Sequence, residues 1–303
     1  MKYSAIAAMI LAFGLVTGCA SKDETSTSDN TETAQQVGDQ MASVDESSGT
    51  SSGAVAFHEM NASERMFARV APREIHDSWL QGAFGSNAYA ATCASLDGFG
   101  TCSSSSKTRT FSGCTVGAAI FNGTVGFAWS GGTGSASCQL AGSGASVTRT
   151  PNLTVTGRRG ATLTVSSTSG QMLTYGGAGT GSTRTFQFSS GAVRRVFKLA
   201  SGATLMDHTS STTAPITVMG DSRATRVLNG GTMHVVNNTT GVSCDYSPTN
   251  VAWTSGCNCA TSGSWAGTCS NGTNTSLVLN GCGTASLTTG STTESVAFDR
   301  CGT

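Results

Sequence analysis

Residues 152–156 read Asn-Leu-Thr-Val-Thr and residues 161–166 read Ala-Thr-Leu-Thr-Val-Ser. In both stretches apolar side chains alternate strictly with polar side chains, most of which carry a hydroxyl. Because successive side chains of a β-strand point to opposite faces, this period of two predicts half-buried strands with one polar face. Arg158-Arg159-Gly160 between the two runs is typical of a turn.

The same pattern extends through residues 92–303. Among the Asn-Gly pairs that interrupt it, those at Asn122, Asn229 and Asn280 each follow two apolar residues. Asn and Gly both adopt positive φ at low cost, so each pair predicts a tight hairpin. Hairpins favour antiparallel neighbours and argue against a parallel β-helix. The sequence therefore predicts a mainly β fold, either an extended antiparallel sheet or a β-sandwich.

The cysteines predict disulfide bonds. Of eleven cysteines, ten remain besides Cys19, and they fall into two clusters within residues 93–138 and 244–301. An even number in an exported chain is typical of a disulfide framework, and the simplest pairing stays inside each cluster. The ten candidates are Cys93, Cys102, Cys114, Cys138, Cys244, Cys257, Cys259, Cys269, Cys282 and Cys301.

The individual pairs cannot be assigned from spacing, because six cysteines already allow fifteen pairings. Cys257 and Cys259 are expected to bond elsewhere, since residues two apart on a strand lie roughly 6.6 Å from each other. This C-x-C spacing also fits zinc poorly, so no metal site is predicted.

Two segments precede the β body. Residues 19–53 contain seven acidic residues and one cation, Lys22, with almost nothing apolar. This composition predicts a flexible acidic tether that reaches away from a membrane surface. Residues 54–91 predict a short helical segment docked on the β body, with Asn61 as its cap and Glu64 three residues later.

The N-terminus carries a targeting signal. Lys2 precedes an apolar run that is too short to span a bilayer and that ends in Leu15-Val16-Thr17-Gly18-Cys19. These residues resemble the lipobox of bacterial lipoproteins, and residues 1–18 resemble a lipoprotein signal peptide. The resemblance implies that Cys19 receives diacylglycerol, becomes the mature N-terminus and is acylated on nitrogen.

The residues after the lipobox suggest a location. By the same resemblance, Ala20 in place of Asp favours the outer membrane over the inner one. Lys22-Asp23-Glu24 resembles the short signal with which some bacteria send lipoproteins to the cell surface. The side of the membrane that the body faces stays open.

No catalytic or cofactor motif stands out. The chain has no G-x-S-x-G, and His208 and His234 with nearby Asp207 and Asp221 select no triad. The Gly-rich run at 176–183 lacks the lysine of a phosphate-binding loop, so it is read as a hairpin loop. The sequence predicts a non-enzymatic protein without a cofactor, and its zero net charge disfavours nucleic acid as a partner.

Tryptophans offer a possible ligand contact. Trp129 and Trp253 are expected in the core, as the largest side chains of a chain with 7% aromatic residues. Trp265 lies among Gly and Ser and is the candidate for stacking on a sugar ring.

The sequence thus favours a lipid-anchored cell-envelope protein of structural or interaction type. The alternatives are a surface module that binds glycan or another surface protein through a Thr/Ser-rich sheet face, and an exported hydrolase without a recognisable motif.

Overall fold

The computed structural model describes residues 30, 31, 33, 34 and 37 and most of residues 102–301. The gaps are 117–118, 139–143, 158, 168–169, 176–182, 188–192, 221–222, 258 and 299–300. Cys19, Cys93, the rest of the expected tether and the expected helical segment at 54–91 lie outside the described residues.

Within the described residues, sixteen β-strands form one antiparallel sheet, which confirms the mainly β prediction and corresponds to the extended sheet of its two alternatives. Two single-turn 3₁₀ helices in the same part of the chain, Ser135–Ser137 and Arg223–Thr225, lie between strands. The strands are β1 Ser106–Val116, β2 Ala119–Ser130, β3 Ser146–Thr156, β4 Thr162–Ser167, β5 Gln171–Tyr175, β6 Thr183–Gln187, β7 Val193–Lys198, β8 Thr204–Ala214, β9 Ile216–Met219, β10 Val227–Asn229, β11 Thr232–Asn237, β12 Ser243–Trp253, β13 Ala260–Cys269, β14 Asn274–Leu279, β15 Thr284–Thr289 and β16 Thr292–Ala297.

The topology is an up-and-down meander with four broken strands. β10 and β11 both pair with one edge of β12 in unbroken register, since Val227 opposes Ala252 and Met233 opposes Tyr246. They are therefore two halves of one long strand. Three other pairs of strands are likewise the two halves of one pass across the sheet: β4 with β5, β6 with β7, and β8 with β9. Sixteen strands thus make twelve consecutive passes.

The four breaks line up as a crease across the sheet, and prolines mark it. Pro215 separates β8 from β9, Pro151 lies in β3 where its partner changes from β4 to β5, and Pro248 lies in β12 close to the change from β11 to β10. Proline has no N–H to donate, so a strand ladder is weakest at these points. At Gly231, between β10 and β11, a Cβ would lie 2.4 Å from the Pro215 carbonyl oxygen, so only glycine fits against that break.

One face of the meander carries the core. The alternating Leu153 and Val155 of β3 and Leu163 and Val165 of β4 are buried, with the threonines between them more exposed. The buried side chains of all parts of the sheet form one hydrophobic cluster. Trp129 and Trp253 belong to it, as predicted.

Of the three Asn-Gly pairs that predict hairpins, one forms a hairpin turn and two do not. Asn280-Gly281 begins the β14–β15 turn, where the Asn280 N–H donates to the Thr284 carbonyl, so that hairpin prediction is confirmed. Asn229-Gly230 lies at the crease between two halves of one strand, so the hairpin prediction there is wrong. Asn122-Gly123 lies inside β2, so that prediction is also wrong.

At Asn122-Gly123 the two residues do other work. Gly123 has φ +114°, and a Cβ there would meet the Asn152 carbonyl oxygen at 2.1 Å, so the glycine permits close approach of β3. The Asn122 side chain accepts a hydrogen bond from the Gly113 N–H at 2.8 Å, opposite the bulge of β1.

Disulfide bonds join cysteines within each cluster, as predicted. Cys257 and Cys259 each bond to a distant cysteine and not to each other. Cys114 is also disulfide-bonded, to a residue outside the described part of the chain. The described pairs are Cys102–Cys138, Cys244–Cys269, Cys257–Cys282 and Cys259–Cys301.

Candidate functional site

Part of the expected tether packs against the sheet. Asn30, Thr31, Thr33, Ala34 and Val37 have helical backbone, and all but Thr31 are at most 1% exposed. The buried positions follow the spacing i, i+3, i+4, i+7, which places them on one face of a helix. At these residues the expectation of a flexible tether is corrected, because a stripe of small side chains finds a surface to cover.

That surface is the inner face of the C-terminal strands. The Thr33 hydroxyl lies 2.9 Å from the Tyr246 hydroxyl of β12 and also donates to the Asn30 carbonyl at 3.0 Å. Thr31 donates to the Glu294 carboxylate of β16. The contacts join residues more than 200 positions apart in the chain, so this docking site ties the N-terminal segment to the C-terminal sheet.

Tyr246 is the centre of the docking site. Burial raises the pKa of its hydroxyl, while the neighbouring Thr33 and Thr275 side chains act in the opposite direction. Its ring reaches Thr275 of β14 by crossing Gly267 of β13. A Cβ on Gly267 would lie 2.5 Å from the Tyr246 ring and 2.2 Å from the Thr275 hydroxyl, so glycine is required there.

One disulfide lies beside the docking site, and two more tie together the other end of the same strands. Cys244–Cys269 joins β12 to β13 two residues from Tyr246, and Thr33 Oγ1 lies 3.4 Å from Cys244 Sγ. Cys257–Cys282 and Cys259–Cys301 tie the β12–β13 connection to the β14–β15 turn and to the chain after β16. The surface that receives residues 30–37 is therefore the most cross-linked part of the described chain.

Trp265 is not an exposed ligand contact. It lies in β13, is 1% exposed and is among the largest fully buried side chains of the protein. Its small neighbours face the other side of the strand, or accommodate Tyr246 in the case of Gly267. The prediction of a stacking tryptophan is corrected, because the surrounding Gly and Ser belong to a strand and not to a loop.

The outer face of β12–β16 is almost free of charge. Asp245 is its one charged side chain among the described residues of these strands. The other exposed positions of this neutral face carry hydroxyl, amide, or small apolar side chains: Ser247, Thr249, Ser262, Ala266, Thr268, Asn274, Ser276, Val278, Asn280, Thr284, Thr293, Ser295 and Ala297.

Two neighbouring arginines of β7 lie on opposite faces of the sheet. Arg194 is exposed on β7 and binds the Asp207 carboxylate through two nitrogens, at 2.8 and 2.5 Å, which lowers the pKa of Asp207. Arg195, the next residue, is buried on the core side and faces His208 of β8. Since neighbours on a strand point oppositely, these arginines cannot form one cationic surface.

His208 is a buried imidazole and is not paired with its sequence neighbour Asp207. It lies opposite Asn237 as well as Arg195, and all three are buried. Burial lowers the pKa of His208 to about 4, the Asp207 carboxylate opposes this shift and Arg195 adds to it. The imidazole is therefore neutral at physiological pH.

A second histidine lies in a row of three side chains, Ser211, His234 and Asp245, on adjacent strands. A serine, a histidine and an aspartate are also the catalytic residues of serine hydrolases. His234 of β11 lies between Ser211 of β8 and Asp245 of β12, and its Nδ1 is 2.8 Å from the Asp245 carboxylate. The row stands on the outer face of the sheet, with His234 and Asp245 partly exposed. Acyl transfer also needs donors for the oxyanion.

The described residues contain no cluster of three or more His, Cys, Asp or Glu side chains able to hold a metal. Among those residues, too, no helix has the length and apolar character needed to cross a bilayer.

Comparison with known protein families, with characterised proteins and with solved structures finds no match to this chain.

Proposed function

We propose that this protein is a lipid-anchored, non-enzymatic component of a bacterial cell envelope, of structural or interaction type, held at the outer membrane through Cys19. The observation that carries the proposal is the cross-linked sheet behind a lipobox-like N-terminus. Disulfides form and persist in oxidising compartments outside the cytoplasm, where a lipoprotein signal peptide would deliver the chain.

Membrane fractionation of a Cys19→Ser variant tests the anchor. Without the thiol no diacylglycerol can be attached, so we expect the variant to leave the detergent-soluble membrane fraction that holds the wild type. Cys102→Ser is the matched control, since it removes a cysteine from the body and leaves the lipobox intact. A Cys19→Ser protein that still requires detergent for extraction would contradict the proposal.

The non-enzymatic part of the proposal is supported by the placement of Ser211, His234 and Asp245 on the outer face of the sheet, where His234 and Asp245 are partly exposed to solvent. A fluorophosphonate probe, which labels activated serines, should leave the protein unmodified. Labelling that disappears in Ser211→Ala would instead establish a hydrolase.

The neutral face of β12–β16 favours a second candidate, a module that binds an uncharged glycan. Hydroxyl and amide side chains offer both donors and acceptors to sugar hydroxyls, and Asp245 is the one charge among the described residues of the face that binding could desolvate. Ser276→Glu, at its centre, should abolish binding to a glycan array, whereas Thr239→Glu in the β11–β12 turn should not. Absence of any glycan signal in the wild type would leave only the first proposal.

A further inference from the structure

We propose that docking of residues 30–37 holds the C-terminal sheet close to the membrane, so that the expected long tether works as a short one. The inference rests on the proposed lipid anchor at Cys19. Ten residues, 20–29, separate Cys19 from Asn30, and a fully extended chain across them reaches about 40 Å. A free tether through residue 53 would reach about 120 Å.

The docked segment is held in place by buried side chains and by polar contacts to the sheet. Four of its five described side chains are almost fully buried, and polar contacts to Tyr246 and Glu294 fix its position along and across the strands. An exposed tether makes no such contacts. A pull on the lipid anchor therefore acts at Asn30 and on β12 to β16, and not at the first strand of the body.

The receiving surface is suited to carry that pull. The Cys244–Cys269 bond joins β12 and β13 beside the docked residues, and two more disulfides tie the other end of β12–β16. Force entering through Thr33 and Tyr246 therefore meets two strands, β12 and β13, that cannot separate there without breaking a covalent bond. The rest of the described sheet from β3 to β11 contains no disulfide.

The charges of the C-terminal sheet are compatible with a position near lipid headgroups. Its outer face carries Asp245 alone, so an anionic surface repels it little. An anionic surface would repel acidic residues elsewhere in the chain. Asp23 and Glu24 lie between the anchor and the docked segment, and Asp45 and Glu46 lie after it.

Two insertions distinguish a docked tether from a free one. A Gly/Ser insert of about 20 residues in the ten-residue segment before Asn30 raises the root-mean-square reach of that segment from about 17 Å to about 30 Å. Placed after Ser26 it lengthens the path between anchor and docking site. Placed after Gly49 it lies beyond the docked segment. If residues 30–37 are docked, only the first insert moves the C-terminal sheet away from the bilayer, whereas with a free tether both inserts act equally.

The distance is measured by energy transfer in vesicles of phosphatidylethanolamine and phosphatidylglycerol that contain an acceptor-labelled lipid. The donor dye is attached through a non-natural amino acid at the exposed Ser291 in the β15–β16 turn, which leaves every cysteine untouched. We expect at least a twofold loss of transfer with the Ser26 insert and less than a tenth with the Gly49 insert. Equal losses would overturn the proposal.

A second measurement is independent of inserts. Glutamate-specific protease should cut the wild type after Glu24 and Glu46 faster than after Glu32, which lies between the docked residues, by tenfold or more. Ala34→Asp, which puts a charge on the buried stripe, should abolish the difference, and Gln35→Asp, at a sequence position outside the i, i+3, i+4, i+7 spacing, should preserve it. Equal cleavage at all three sites would overturn the proposal. Failure of the protein to bind vesicles at all would instead contradict the lipid anchor.

Discussion

At the scale of single residues, Gly267 decides how the docking site is built. Its missing side chain lets the Tyr246 ring lie across β13 and reach Thr275, and the Tyr246 hydroxyl then meets Thr33. A glycine inside a strand often marks such a close approach. The position is identifiable in the sequence only as one of several glycines near Trp265.

Gly267→Ala should therefore destabilise the protein by about 1–3 kcal/mol, the usual cost of overpacking a tight site. Urea unfolding followed by circular dichroism measures the change. Gly256→Ala is the control, because a Cβ at Gly256 meets nothing within 4 Å and should leave the free energy of unfolding nearly unchanged. Equal stability of the two variants would show that Tyr246 does not depend on Gly267.

His208 should make the protein sensitive to mild acid. Its pKa is about 4 in the folded chain against 6.5 when unfolded, so the unfolded state binds the proton first as the pH falls. The free energy of unfolding should then drop by about 3 kcal/mol between pH 6.5 and pH 4. Asp207, whose pKa is lowered, adds its own loss only at lower pH, as the pH falls through its folded pKa.

His208→Gln removes the titrating group, so its stability should change much less over that interval. The comparison uses the slope of unfolding free energy against pH, which is insensitive to the variant's own loss of stability. Parallel slopes for wild type and variant would show that His208 is not a buried neutral imidazole.

At the scale of strands, the alternation of apolar and polar residues predicted the core face correctly. Of the three Asn-Gly pairs used to predict hairpins, only Asn280-Gly281 forms one. Leu153, Val155, Leu163 and Val165 lie on the core face, as their period of two predicts. The turn chemistry failed at Gly123 and Gly230 because glycine with positive φ also serves close strand approach and the crease. Three prolines along that crease were visible in the sequence, but only the register of the strands shows that they fall on one line.

The C-terminal strands should depend on their disulfides more than the rest of the sheet does. Cys244–Cys269 and Cys257–Cys282 each close 25 residues and Cys259–Cys301 closes 42, and loops of this size contribute about 3–4 kcal/mol each in the chain-entropy account. Reduction should raise hydrogen exchange in residues 244–301 well above that in residues 146–237. Equal increases in the two regions would contradict this expectation.

At the scale of the whole molecule, composition concealed the relation between anchor and body. The segment around Thr33 and Ala34 reads as polar and acidic, and such composition is typical of flexible chain. Its buried stripe of Asn, Thr, Ala and Val is too weakly apolar to be recognised without the surface that it covers. The sequence thus predicted that an N-terminal segment links lipid to sheet, but not where the link attaches.

The proposed function depends on a cysteine-linked lipid that ties this cross-linked sheet to a bacterial membrane. Intact-mass and peptide mass spectrometry of detergent-extracted protein without reduction can detect that lipid. We expect an N-terminal peptide that begins at Cys19 and carries diacylglycerol and acyl mass, on a body with no free thiol. A mature chain that begins beyond Cys19 without added acyl mass would contradict it.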